Sequence, residues 1–184
     1  ISIVPYKVCS FDCVYCQLGR GTVYPTRRKI YVPTKKIIAE LKTLSHVRVD
    51  CITFSGRGEP TLAGNLGEVI REIKKIRKEP VVVFTNATEL RRKEVRRDLS
   101  FADCVVAKLD ASNQRLFQKI NQPARGITFH ATLSRLLRFR KRYKGRFELQ
   151  IMFVDANKKA ALAMARLARK LSPDRIHINT PLRP

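Results

Sequence analysis

The feature that most constrains the fold is an alternation of short β-rich runs with longer amphipathic segments along the whole chain. The apolar patterns predict six strands, at residues 2–4, 51–54, 81–84, 104–109, 147–154 and 175–179. Strands that alternate with helices lie parallel and are joined by right-handed crossovers. This order predicts an α/β protein with a partial, open barrel of six strand-helix units.

Apolar residues at helical spacing fill the segments between these strands. Thr34 is predicted to cap a helix whose apolar face comprises Ile37, Ile38, Leu41 and Leu44. The next helix has the apolar face Leu66, Val69, Ile70, Ile73 and Ile76 and ends before Pro80. Further helices are predicted at residues 93–98, 112–120, 129–144 and 157–171, and Gly145 and Pro173 end the last two.

Length and composition indicate one domain over residues 1–184, with 44% hydrophobic residues. No apolar run is long enough to span a bilayer, and the first residues lack the pattern of a signal peptide. We therefore expect a soluble, cytoplasmic protein. Five cysteines, an odd number with three clustered, fit a reducing compartment and a metal site better than a disulfide framework.

The clustered cysteines, Cys9, Cys13 and Cys16, form a C-x3-C-x2-C run that offers three thiolates. Structural zinc sites normally have four protein ligands, and electron-transfer 4Fe-4S clusters have four cysteines. Three ligands leave one metal position open for chemistry, which indicates an enzyme. The alternative is a closed zinc site, for which the fourth ligand would come from residues far along the chain: Cys51, Cys104, His46, His130 or His177.

This cysteine spacing, with Tyr15 before the third cysteine, resembles the signature of the radical S-adenosylmethionine (radical SAM) superfamily. The run Ser-Gly-Arg-Gly-Glu-Pro-Thr-Leu at residues 55–62 is similar to that family's glycine-glutamate-proline motif. Residues 3–20 resemble one branch, commonly labelled with wyosine-type tRNA synthetases. The resemblance implies a radical SAM core, and residues 1–184 are expected to lack flanking N- and C-terminal segments of the family.

The resemblance implies that the three cysteines hold a 4Fe-4S cluster whose fourth iron binds S-adenosylmethionine (SAM). Reductive cleavage of SAM would give methionine and a 5'-deoxyadenosyl radical, which abstracts hydrogen from a substrate. Gly56 and Gly58 would let the backbone approach SAM, and Glu59 would meet the methionine ammonium. Tyr15 is expected to contact adenine.

Strand alternation places a set of polar side chains on the barrel interior. At the carboxyl ends of parallel strands, where ligands bind, these include Ser55, Thr85, Lys108, Asp110 and Asn179. Lys108 is a candidate for the SAM carboxylate and Asp110 for the ribose, although a mutual salt bridge is the alternative. Gln150 and Asn179 are further candidates for ribose or adenine.

Residues 85–87 resemble a Thr-Asn-Gly turn of the family, in which Thr85 and Asn86 contribute to SAM binding, but Ala87 replaces the glycine. A positive φ at Ala87 would cost about 1 kcal/mol. Cys51 and Cys104 are predicted to be buried packing thiols. His177 is predicted to point with Asn179 into the cavity.

The net charge of +23, from 38 Lys and Arg against 15 Asp and Glu, indicates acidic partners. An RNA, and an acidic electron donor such as a flavodoxin or ferredoxin, both fit. The densest basic run is at residues 138–144. The leading hypothesis is a radical SAM enzyme that modifies an RNA base, in tRNA; radical modification of a protein or peptide, and a non-catalytic metal-stabilised RNA-binding module, are the alternatives.

Overall fold

The computed structural model describes residues 1–25 and 27–181. Its sheet has five parallel strands in chain order: β1 (Ile52–Phe54), β2 (Val81–Thr85), β3 (Cys104–Lys108), β4 (Arg146–Met152) and β5 (Arg175–Asn179). The helices are α1 (Thr34–Thr43), α2 (Leu66–Ile76), α3 (Lys93–Leu99), α4 (Gln114–Ile120), α5 (Phe129–Arg142) and α6 (Ala161–Leu171). Short 3-10 helices lie at Pro60–Leu62, Thr88–Arg91 and Lys158–Ala160. The predicted α/β class with a parallel sheet is confirmed.

The prediction of a strand at residues 2–4 is wrong, and the sheet within the described ranges has five strands. Of the described residues 1–4, Ile1 alone bonds to the backbone at the sheet edge: its amino group donates to the Thr53 carbonyl (2.6 Å), and the Ser55 amide donates to the Ile1 carbonyl (3.2 Å). Ile3 and Val4 are nevertheless buried. Their apolar character therefore reflects core packing and not strand pairing.

The core lies between one face of the sheet and the helices. On that face of the central strands, Val83, Val105, Ala107 and Leu149 are fully buried. From α2, fully buried Leu66, Val69, Ile70 and Ile73 belong to the same core cluster, at the spacing that the sequence predicted. Each such side chain contributes about 1.5–3 kcal/mol by its burial.

The start and end of α1 differ from the prediction. Thr34 is the first helical residue and not the cap, which is Pro33 without a side-chain bond. The Thr34 hydroxyl instead accepts a hydrogen bond from Asn65 Nδ2 (3.0 Å). Leu44 follows the helix and is exposed, so it is not part of the apolar face.

Within the described ranges, every helix is too short or too polar to traverse a lipid bilayer.

Candidate active site

The cysteine loop (residues 9–16) lies over the carboxyl ends of the first three strands. It and its neighbour Val8 contact residues that follow β1, β2 and β3: Glu59, Asn86 and Asp110. Four backbone hydrogen bonds join the loop to the end of α4 and the segment after it: Val14 donates to Ile120 (2.9 Å), Asp12 donates to both Asn121 (3.0 Å) and Gln122 (3.1 Å), and Ala124 donates to Ser10 (2.9 Å). The loop therefore occupies the edge of the sheet at which ligands of parallel α/β proteins bind.

An apolar pocket surrounds the three cysteines. Phe11 packs edge-on against Phe117 with ring centroids 5.2 Å apart, and Phe117 packs against Phe129 at 6.0 Å. Cys13 belongs to the same cluster of buried residues, and Cys9 and Cys16 pack against it half-buried. Burial raises the pKa of the Cys9 thiol to about 12 and that of Cys13 to about 11, so the metal would have to displace these protons on binding.

The donor set fits an iron-sulfur cluster better than a single ion. In the part of the chain that the structure describes, no three His, Cys, Asp or Glu side chains converge as one metal ion would require. Cys51 and Cys104 both line a cavity at the opposite ends of the strands, and so does His177. The alternative of a closed zinc site thus has no fourth ligand among the described residues, whereas three thiols on one short, apolar loop suit a cluster.

A buried lysine holds the cysteine loop in shape. Lys7 Nζ donates to Asp12 Oδ1 (3.1 Å) and to the Gly19 carbonyl (2.5 Å), and the backbone of Lys7 has a φ of 61°. Burial would raise the pKa of Asp12, but the hydrogen bonds from Thr22, Lys7 and the Gly21 amide outweigh it and lower that pKa. The sequence reasoning missed this pair, although both residues lie within or beside the cysteine run.

Two glycines follow β1, and Gly58 lies directly against the chain that leads into the cysteine loop. Gly56 has a φ of 118°, which favours glycine. A Cβ on Gly58 would lie 2.9 Å from the Val4 Cγ2 methyl carbon and 3.0 Å from the Val8 carbonyl carbon, and closer still to that carbonyl oxygen. Gly58 therefore allows a close approach of the chain that leads into Cys9, and the predicted approach of its backbone to SAM stays a prediction.

The Glu59 carboxylate is buried and holds the turns after β1 and β2 together. Its Oε1 accepts hydrogen bonds from the Thr61 amide (3.2 Å), the Thr61 hydroxyl (2.6 Å) and the Thr85 hydroxyl (2.6 Å). Its Oε2 accepts one from the Asn86 amide (2.8 Å). Burial raises the pKa of Glu59 in spite of these bonds. The predicted contact with a SAM ammonium stays a prediction, for which Oε2 keeps acceptor capacity.

The turn after β2 adopts the left-handed geometry that the family resemblance implied. Ala87 has a φ of 66° and a ψ of 3° and is buried. Thr88 donates to Asn86 Oδ1 from its amide (3.1 Å) and its hydroxyl (2.9 Å). The side-chain NH₂ group of Asn86 therefore points toward Ser10 Oγ (2.8 Å) and Cys9 Sγ (3.6 Å) of the cysteine loop.

Asp110 is the centre of a second buried cluster. Its Oδ2 accepts from the Tyr15 hydroxyl and from Asn121 Nδ2 (2.9 Å), and its Oδ1 accepts from the Met152 amide (2.8 Å). Lys108 Nζ lies 3.7 Å from Asp110 Oδ2, and its side chain is 20% exposed. The mutual salt bridge that the sequence left open is therefore formed, and Lys108 still reaches the surface of the site.

The comparison with protein families decides the class of this site. The model of the radical SAM superfamily matches residues 3–168, which include the cysteine loop and the turns after β1 and β2. The chain belongs to the radical SAM superfamily. The family resemblance inferred from the cysteine and glycine motifs is thus confirmed.

Three similar proteins match 97% or more of this chain, which spans between 28% and 68% of their own lengths. A protein named GTPase Obg from Brachyspira hyodysenteriae is 37% identical over 188 residues, which is 100% of this chain and 28% of that protein. A UPF0026 protein of Synechocystis sp. is 38% identical over 97% of this chain and 68% of its own length. The solved structure of native anSMEcpe with bound AdoMet has a TM-score of 0.76 at 16% identity, over 100% of this chain and 51% of that one. This last likeness shows a shared fold.

The remaining candidates for the radical SAM site lie along β4 and β5. Gln150 Oε1 accepts from Lys108 Nζ (3.2 Å), which joins it to the Asp110 cluster. Asn179 is half-buried, and its carbonyl accepts from the Phe153 amide (2.8 Å). An open groove of 710 Å³ separates the Cys16 end of the cysteine loop from the segments after β4 and β5. Two further candidates, Ser55 and Gly56, lie directly after β1, and both are exposed.

A second, larger cavity of 870 Å³ lies at the amino ends of the strands, away from the cysteine loop. His177 lines it and pairs with the buried Glu148 (2.7 Å), so the prediction that His177 points with Asn179 into the ligand cavity is wrong: His177 faces the cavity at the amino ends of the strands, away from the cysteines. Cys104 is buried as predicted. Cys51 is exposed, and the prediction that it packs in the core is wrong because it precedes β1 at the open end of the sheet.

Proposed function

We propose that this chain forms the catalytic core of a radical SAM enzyme in which Cys9, Cys13 and Cys16 hold a 4Fe-4S cluster. The observation that carries the proposal is the placement of three thiols, without a fourth ligand among the described residues, at the carboxyl ends of the strands. Such a cluster, when bound, supplies the electron that cleaves the sulfonium C–S bond of SAM, which gives methionine and a 5'-deoxyadenosyl radical. Phe11, Phe117 and Phe129 form an apolar wall beside the thiols that limits the access of water to them.

SAM is proposed to bind along the rim formed by the turns after the strands. Lys108 offers a partly exposed ammonium to the SAM carboxylate, and Glu59 offers Oε2 to the methionine ammonium. Asp110 and Tyr15 are proposed for the ribose and adenine, with their mutual bond setting their positions. The other proposed contacts are Ser55, Gly56, Gly58, Thr85, Asn86, Gln150 and Asn179.

RNA is the substrate class that charge favours, and a tRNA base is the proposed target. The net charge is +23, and α5 and the turn after it present exposed basic side chains at Arg138, Lys141, Arg142 and Lys144. Cations arranged in this way neutralise phosphates, and the released counterions make such binding sensitive to salt. Modification of a protein or peptide by the same centre is the competing outcome.

The proposed electron donor is an acidic flavodoxin or ferredoxin. Apolar side chains are exposed around the cysteine loop at Tyr6, Val14, Val23 and Tyr24, and Arg20 lies exposed among them. Apolar contact combined with positive charge suits docking of an acidic protein. The need for a reduced cluster is the reason to propose a cytoplasmic location.

Anaerobic reconstitution with iron and sulfide, followed by reduction and addition of SAM, tests the proposed chemistry. We expect 5'-deoxyadenosine from the native chain and none from Cys16→Ala, while Cys51→Ala should keep the native yield. A reconstituted native chain that forms no 5'-deoxyadenosine would contradict the enzyme proposal and favour a non-catalytic metal-stabilised module.

Binding of tRNA across a salt series tests the substrate class. We expect the affinity to fall about tenfold or more between 50 and 200 mM salt. The double variant Arg138→Gln/Lys141→Gln should weaken binding and reduce the salt slope, whereas Lys35→Gln/Lys36→Gln, with exposed lysines on α1, serves as the control. Binding that does not respond to salt, or equal effects of the two double variants, would favour a protein or peptide substrate.

A further inference from the structure

Two buried asparagines donate hydrogen bonds to cysteine sulfurs of the loop. Asn86 Nδ2 lies 3.6 Å from Cys9 Sγ, and Asn121 Nδ2 lies 3.5 Å from Cys13 Sγ. The two side chains come from different elements, since Asn86 follows β2 and Asn121 ends α4. Both residues are buried, at 4% and 2% exposure.

The surrounding contacts determine which end of each amide faces the sulfur. Asn86 Oδ1 already accepts two hydrogen bonds from Thr88, so its NH₂ group must point to Cys9. Asn121 Nδ2 also donates to Asp110 Oδ2 (2.9 Å), an oxygen that accepts from the Tyr15 hydroxyl as well. In both residues a reversed amide would bring acceptor against acceptor, so both present donors to sulfur.

These bonds are placed where their electrostatic effect is large. The apolar cluster of Phe11 and Phe117 buries Cys13 and packs against the half-buried Cys9, and hydrogen bonds strengthen in a low-dielectric environment. Hydrogen bonds to cysteine sulfurs set the reduction potential of iron-sulfur clusters, because they stabilise negative charge on sulfur.

We propose that Asn86 and Asn121 are positioning residues that raise the reduction potential of the cluster held by Cys9, Cys13 and Cys16. The inference rests on the proposed 4Fe-4S site. One electron from an external reductant adds one negative charge to the cluster, and no proton is transferred. The two N–H groups stabilise that added charge on the Cys9 and Cys13 sulfurs and thereby favour the reduced state.

The test is an EPR-monitored redox titration of reconstituted Asn86→Leu and Asn121→Leu chains, with dithionite as reductant and iron and sulfide measured in each sample. At a fixed potential we expect the ratio of reduced to oxidised cluster to fall about three- to tenfold in each variant, and a tenfold fall corresponds to 59 mV. Asn65→Leu is the matched control. Asn65 is equally buried, but its amide bonds to the Val32 carbonyl and Thr34 and touches no cysteine.

A variant that does not load iron is replaced by the shorter polar substitution, Asn86→Ser or Asn121→Ser. In parallel, pulsed EPR of the reduced native protein in D₂O should detect exchangeable deuterons coupled to the cluster, and each substitution should remove one set. Loaded variants whose potentials match the Asn65→Leu control, or a native spectrum without such couplings, would overturn the inference. A native chain that loads no cluster would instead overturn the proposed function, together with this inference.

Discussion

Gly58→Ala tests whether the turn after β1 positions the cysteine loop. The new Cβ would lie 2.9 Å from Val4 Cγ2, about 0.6 Å inside the carbon-carbon contact distance of about 3.5 Å, and it would collide more severely with the Val8 carbonyl. The Val8 backbone cannot rotate away as a flexible side chain would. Moving the Val8 backbone would stretch the hydrogen bond from the Glu59 amide to the Val8 carbonyl, which is now 2.9 Å long. Val8 directly precedes Cys9, so this movement would also shift the start of the cysteine loop.

Overpacking of this kind costs about 1–3 kcal/mol, and loss of the hydrogen bond adds about 1 kcal/mol. We therefore expect Gly58→Ala to lower the free energy of unfolding by about 2–4 kcal/mol. In a chain of this size that is about 2–4 °C in Tm for each kcal/mol. Urea unfolding should show a lower midpoint with an unchanged m-value, and the variant should bind less iron on reconstitution.

Gly64→Ala is the matched control, because the nearest atom to its new Cβ is the Lys29 carbonyl carbon at 3.4 Å and its φ is not positive. We expect a change within about 1 kcal/mol there, which includes the gain from reduced freedom of the unfolded chain. Equal unfolding free energies and equal iron content in the two variants would refute the positioning role of Gly58.

Three further predictions follow from single residues. Lys7→Met should lower the free energy of unfolding by about 2 kcal/mol, because it leaves the buried Asp12 carboxylate without its ammonium partner. Urea unfolding of the double variant Lys7→Met/Asp12→Leu should show that part of this free energy is recovered, whereas additive losses from the two substitutions would contradict the pairing. Ala87→Gly should change the free energy of unfolding by less than about 1 kcal/mol, because relief of about 1–2 kcal/mol of left-handed strain is offset by the loss of a buried methyl group and by a more flexible unfolded chain. A larger change in thermal unfolding would refute this balance. Burial would raise the pKa of Glu148, but hydrogen bonds from His177 and Arg146 outweigh burial and lower that pKa. The ionised carboxylate therefore stabilises the fold at pH values above the ordinary glutamate pKa of about 4.3. This stabilisation is lost as the pH falls through the lower pKa of the folded state. Unfolding free energies measured from pH 7 to pH 3 should therefore converge for the native chain and Glu148→Gln at low pH, and parallel curves would contradict the pairing.

Much of the fold could be read from local patterns, because helix and strand periodicities are properties of neighbouring residues. The bounds of β5 match their prediction at both ends, and α2 runs from the first to the last residue of its predicted apolar face, Leu66 to Ile76. The misplaced strand at residues 2–4 shows the limit of such patterns, since burial against the core and pairing in a sheet both select apolar residues. Cys51 shows the same limit, because its exposure depends on how the sheet ends and not on its apolar neighbours.

By itself, the sequence determined the order of strands and helices, the adjacent thiols of Cys9, Cys13 and Cys16, and the glycine turn after β1, because each depends on residues close together in the chain. Only the tertiary structure decided that Asn121 meets Cys13 across 108 residues, and that Glu59 and Asp110 are already engaged by several donors. Those contacts arise where parallel strands bring the ends of distant segments to one edge of the sheet. No local pattern records which buried polar groups will meet there.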